Sequence, residues 1–118
     1  LEDSVNNARA MMTSAKSWKP TLWLGPTPVH GDGPVINPGK SVIFTFDAGR
    51  TKALNNAYSE LADELGIPYF DMHEAFEATT GWQQTLDDGD GVHPTGGGYQ
   101  LIAEALSGWQ PWRAWLSS

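Results

Sequence analysis

An α/β fold built on parallel strands is the class this sequence predicts, and three observations predict it. Segments with helical periodicity alternate with short apolar runs, each apolar run is closed by Gly or Pro, and the order is helix, strand, loop, helix, strand, loop, helix. That order is the one in which helices cover both faces of a doubly wound sheet.

The first helix rests on Leu1, Val5, Ala8, Met12 and Ala15, spaced by three and four and ending near Trp18 before Pro20. "TLWLGPTPV" (21 to 29) follows as a short apolar strand of the kind buried on both faces of a parallel sheet. Residues 30 to 49 form a long Gly- and Pro-rich connection with one short strand at Val42 to Phe46. A connection of that length, leaving the carboxyl end of a buried strand, is expected to border a site. The second helix, 50 to 65, carries Leu54, Ala57, Tyr58, Leu61, Ala62 and Leu65 on one stripe and stops at Gly66 and Pro68. "IPYFDM" (67 to 72) reads as a second buried strand, and "GWQQTLDDGDG" as a polar stretch. The third helix runs from about Thr95 to Ser107, with Tyr99, Ile102, Ala103 and Leu106 expected on its inner face. Gly108 ends it, and Trp109, Trp112 and Trp115 are expected to pin the tail. An ordinary sheet has about five or six strands, so these few read as the second half of a domain.

Composition narrows the function classes. The 118 residues carry a net charge of -7, and the seven Lys and Arg are scattered, which argues against a nucleic-acid partner. No apolar run approaches the roughly 18 residues of a membrane-spanning helix, so the chain reads as soluble. The absence of cysteine excludes disulfides, thiolate metal sites and cysteine nucleophiles.

The residues that carry chemistry are in "DGVHPTGGGYQLIAEAL", where Asp90 precedes His93 by three positions and Pro94 and three glycines follow. A carboxylate that orients an imidazole, so that the imidazole takes a proton from a serine, is the arrangement of a hydrolase. Pro94 disfavours helical angles at His93 and places the ring on a loop. This block resembles the last conserved block of the SGNH (GDSL-type) hydrolases, Asp-x-x-His-Pro followed by a small residue, Gly and an aromatic that opens an apolar helix. "TLWLGPTPV" resembles the strand after that family's Asn-containing block, and "TKALNNAYSELADELGIPYFDM" resembles the helix and strand that lead to its catalytic loop. The resemblance implies a three-layer α/β/α sandwich with a parallel, flavodoxin-like sheet, and hydrolysis of acyl esters, thioesters or lysophospholipids without a cofactor or metal. It implies His93 as general base and Asp90 as the residue that orients it. The family's Gly-Asp-Ser nucleophile block and its oxyanion-hole Gly and Asn have no counterpart here. Ser4, in "EDSV", has no preceding strand or Gly and lies within a helical pattern. Residues 1 to 118 are therefore expected to be the C-terminal part of one hydrolase domain, inactive alone, with the missing N-terminal portion as partner and a small-molecule, lipid or carbohydrate ester as substrate. The alternative is a non-catalytic carbohydrate-binding or interaction module with vestigial triad residues.

Other chemistry-bearing groups weigh less. His30 stands where it could line a pocket or sit solvated in a loop, while His73, in "HEAFE", fails the zinc-protease pattern at Glu77 and reads as packing. The acids Asp87, Asp88 and Asp90 have no Glu at the twelfth position of a calcium loop. "GPVINPGKS" has one residue too many between Gly33 and Gly39 for a phosphate loop. Among the six tryptophans, Trp82 is the expected substrate contact; Ser14, Ser41 and Ser59 complete the candidate nucleophiles beside Ser4.

Overall fold

The computed structural model describes residues 1–39 and 42–118, and the side chains of all of these except 37–39. Its element order is α1 (Glu2–Trp18), β1 (Trp23–Leu24), β2 (Val35–Gly39), β3 (Val42–Thr45), α2 (Ala48–Leu65), β4 (Tyr69–Phe70), α3 (Met72–Glu77), α4 (Thr80–Asp87), α5 (Gly96–Gly108) and α6 (Gln110–Leu116).

Local chemistry explains the helix ends. Glu2 and Asp3 lie in the first turn of α1 and Lys16 in its last, each complementing the helix dipole. Asp47 caps α2 by accepting the Arg50 amide, and Gly66 closes it in the left-handed conformation at φ 66. Asp71 caps α3 through the Glu74 amide. None of the described helices is long and apolar enough to cross a membrane.

Two parallel strands lie at the centre. β1 pairs with β4 in the register Trp23 to Tyr69 and Leu24 to Phe70, extended by Trp23 N–H to the Pro68 carbonyl and Gly25 N–H to the Phe70 carbonyl. Successive side chains point to opposite faces. Trp23 and Tyr69 pack with Ala8, Met12, Leu61, Ala62 and Ile67 between α1 and α2, whereas the Phe70 ring meets Trp109, 5.2 Å away. A second cluster forms where Phe76, Trp82 and Leu86 of α3 and α4 receive Leu101, Ile102 and Ala105 of α5. Trp82, Met12 and Leu86 are the largest fully buried side chains. Burial of each contributes about 1.5–3 kcal/mol.

Several expectations change. The strands are shorter than the apolar runs, and Leu24 is 37% exposed, so they are not buried on both faces. With two members among the described residues, each strand of this sheet is an edge there. The connection after β1 contains a hairpin in which β2 and β3 pair antiparallel, Val35 opposite Thr45 and Ile36 opposite Phe44. "GWQQTLDDGDG" supplies the helix α4, with Trp82, Thr85 and Leu86 buried. On α5 the inward stripe is Gly98, Leu101, Ile102 and Ala105, while Tyr99 is 59% exposed and Ala103 is exposed. The reason is steric: Gly98, which has no side chain, takes the closest approach to Pro94 and Thr85, and this turns Tyr99 outward. The tail packs as expected, with Trp112 stacked on Trp115 and the Trp115 indole N–H donating to the Pro20 carbonyl.

Around the carboxyl end of β4 lies a part-buried polar network centred on the buried Asn55. The Asn55 amide donates to both carboxylate oxygens of Asp71, and the Tyr69 hydroxyl donates to Asn55 Oδ1 at 2.7 Å. Burial, and then the charge of Asp71, push the Tyr69 phenol far above its ordinary range, so it remains a donor. Gly25 lies against this network: a β-carbon there would collide with the Tyr69 hydroxyl and stand 2.6 Å from Asn55 Oδ1. Among the described residues, no buried side-chain nitrogen or oxygen lacks a partner.

Candidate active site

The turn between α4 and α5 holds Asp90 and His93, and local bonding fixes its shape. Asp90 Oδ1 accepts the amides of Val92 at 2.8 Å and His93 at 2.7 Å, the pattern of an Asx turn. Its other oxygen, Oδ2, lies 2.7 Å from His93 Nδ1. A carboxylate only accepts, so Nδ1 carries the proton, and in the neutral ring Nε2 is left as the acceptor. The side-chain bond from His93, followed by the amides of His93 and Val92, holds the Asp90 carboxyl down at about 2. Asp90 is therefore an anion at any physiological pH. The His93 and Asp90 side chains are 66% and 43% exposed, and among the described residues Nε2 has no hydrogen-bond partner.

Three supports hold this turn from outside. Gly91, with φ +82, adopts a conformation that side chains rarely take, and its carbonyl accepts the His30 amide at 2.8 Å. Thr85 Oγ1 on α4 accepts the Thr95 amide at 2.6 Å and shares a hydrogen bond with the Thr95 hydroxyl, which ties the start of α5 to α4. Trp82, stacked on Phe76 at 4.9 Å, donates its indole N–H to the Pro28 carbonyl at 3.0 Å and so anchors the segment after β1. Trp82 is 0% exposed and cannot touch a substrate, which corrects the expectation from sequence; its size and the indole donor serve the core.

The remaining candidates fall into place around the pair. The His30 ring, 30% exposed in the segment after β1, meets Asp87 and Asp32. His73 is 4% exposed on α3, a packing residue whose Nδ1 lies 3.9 Å from Glu77. Asp87 faces His30, Asp88 accepts from Gln84, and Asp90 serves the turn, so the acidic run diverges. Among the described residues no three His, Asp or Glu groups are placed to hold a metal ion.

Ser4 lies on α1, facing a pocket of about 250 Å³ shared with Thr45, Asp47, Arg50 and Leu54; neither Asp90 nor His93 lines it. Ser14 and Ser59 lie on α1 and α2, and Ser41 lies outside the described residues. Among the described residues no serine is hydrogen-bonded to His93. Sequence reasoning missed the roles of Thr85, Thr95 and His30; the Asp-Gly dipeptides at 88–89 and 90–91 signalled a turn, and of the two glycines only Gly91 takes positive φ.

No curated protein matches the chain. The family model described as GDSL-like Lipase/Acylhydrolase matches residues 1–101, a span that includes both strands of the parallel sheet and the Asp90–His93 turn. On that match, the chain belongs to the GDSL-like lipase/acylhydrolase family of hydrolases.

Proposed function

We propose that the chain supplies the acid and base of a serine ester hydrolase whose nucleophile belongs to an upstream segment of the same domain. The observation that carries this reading is the Asp90–His93 pair, 2.7 Å apart, with Nδ1 committed to the carboxylate and Nε2 open. In the reaction, the serine hydroxyl passes its proton to His93 Nε2 as its oxygen attacks the ester carbonyl carbon. The tetrahedral intermediate collapses, the bond to the alcohol breaks, and the leaving alcohol takes the proton from His93. Water then repeats the sequence on the acyl-enzyme and releases the acid. Asp90 keeps the productive tautomer and offsets the charge of the imidazolium.

The upstream segment would also bring the oxyanion donors and the strands that complete β1 and β4 into a three-layer α/β/α sandwich. No cofactor is needed by this route. Support comes from the family match and from the placement of the His93 turn after the carboxyl end of the parallel strands, where α/β folds build their sites.

The test compares the intact protein, the 118-residue chain alone and His93→Ala on p-nitrophenyl acetate. The intact protein should hydrolyse the ester, while the isolated chain should not, and His93→Ala in the intact protein, with unaltered circular dichroism, should fall by several orders of magnitude. Near-parental rates in His93→Ala would overturn the assignment. An intact protein without a serine that reaches His93 would favour a non-catalytic binding module.

A further inference from the structure

Among the described residues outside the catalytic pair, His30 is the side chain near the turn with the most polar partners. It lies in the segment after β1, 30% exposed, and engages three different parts of the chain. Its Nε2 lies 3.0 Å from Asp87 Oδ1, at the last residue of α4. Its Nδ1 lies 3.2 Å from the Asp32 amide and 3.3 Å from the Asp32 carboxylate. Its own amide donates to the Gly91 carbonyl.

These distances assign the protons. Asp87 can only accept, so Nε2 carries a hydrogen whatever the charge of the ring. Nδ1 accepts the Asp32 amide when the ring is neutral and donates to the Asp32 carboxylate when it is charged. The arm to Asp87 is therefore made in both states. An exposed ion pair alone would contribute little, but here the residue that makes it also makes the main-chain bond to the catalytic turn. A β-carbon on Gly91 would stand 3.0 Å from Pro34 and 3.3 Å from the His30 Cβ, so segment and turn already touch. Two residues earlier, Pro28 is held by Trp82.

We propose that His30 is a positioning residue that straps the segment after β1 to Asp87 and, through its amide on Gly91, fixes the turn that presents His93. The role rests on the hydrolase reading for its kinetic consequence, but not for its structural one. Displacement of His30 would let the Gly91 carbonyl rotate and loosen the Asx turn at Asp90. A misplacement of about 1 Å in a catalytic group costs up to roughly a hundredfold in rate.

The experiment uses the intact protein with His30→Ala, Asp87→Ala, the double variant and His30→Gln. Two readouts are taken: kcat and KM on p-nitrophenyl acetate, and the imidazole ¹⁵N resonances of His93, which report its tautomer without any turnover. We expect kcat to fall about tenfold or more in His30→Ala and Asp87→Ala with KM unchanged, and no further in the double variant, because both remove one strap. His30→Gln keeps a donor toward Asp87 and should recover part of the rate. The His93 Nδ1–H signature should weaken in parallel. Unchanged kcat and unchanged His93 resonances in His30→Ala, or losses that multiply in the double variant, would overturn the strap. If His30→Ala fails to fold, Asp87→Ala, at a 57% exposed side chain, decides by the same readouts. If the intact parent has no esterase activity, the hydrolase reading fails while the ¹⁵N spectra still judge the strap.

Discussion

Replacing Trp82 by Phe separates a core role from a substrate role at one position. The indole is fully buried, stacked on Phe76 at 4.9 Å, and donates to the Pro28 carbonyl at 3.0 Å. Phenylalanine keeps the stacking but removes the donor, so the Pro28 carbonyl, on a buried residue, loses its partner, at a cost of about 1–2 kcal/mol. The smaller ring also withdraws apolar surface worth roughly 1 kcal/mol. The sum is about 2–3 kcal/mol. In the intact protein this lowers Tm by about 2–4 °C for each kcal/mol, as in a domain of roughly 150–250 residues. The assay is thermal unfolding followed by near-ultraviolet circular dichroism, together with KM for short and long acyl esters at a temperature where the variant is folded. Tm should fall and the ratio of KM values should stay at the parental level. An unchanged Tm with an altered KM ratio would refute the reasoning, because it would put the ring against the substrate.

The other predictions concern the turn and the helix that follows it. The Asp90 carboxyl is depressed in the folded state, so the stability it contributes is present above the ordinary carboxylate range and lost as pH falls through about 2. A carboxyl ¹³C titration should place Asp90 near 2, and a midpoint near 4 would show that the turn is not formed. Gly98→Ala puts a β-carbon 2.5 Å from Pro94 Cβ and 2.8 Å from Thr85 Oγ1, whereas Gly97→Ala meets nothing within 4 Å. Overpacking should cost the first about 1–3 kcal/mol despite its better helix propensity, while the second should gain up to about 1 kcal/mol. Equal Tm changes in the two variants would rule out the close α4–α5 contact.

The helices were legible because their signals are local. α2 has its stripe, its Asp47 cap and its Gly66 stop in contiguous sequence, and α1 shows Val5, Ala8 and Met12 at helical spacing. α4 was hidden, because Trp82, Thr85 and Leu86 are its only buried positions among polar neighbours. The inward face of α5 was misplaced by about one residue, since periodicity weighs Tyr99 as apolar and gives Gly98 no weight, while packing against Pro94 rewards the absence of a side chain.

Sequence by itself determined the family, the succession α1, β1, α2, β4, α5 and the Asp90–His93 pair, because these depend on residues near one another along the chain: an Asx turn closes over three positions, and Pro94 sets the backbone before it. Tertiary structure alone decided what holds that pair. The bonds from His30 to Asp87, from Trp82 to Pro28 and from Thr85 to Thr95 join residues separated by 57, 54 and 10 positions. No periodicity encodes such separations. They arise only when the segment after β1, α4 and the start of α5 are brought together, and at the buried Trp82 indole and the part-buried threonine pair an unpaired polar group would be costly.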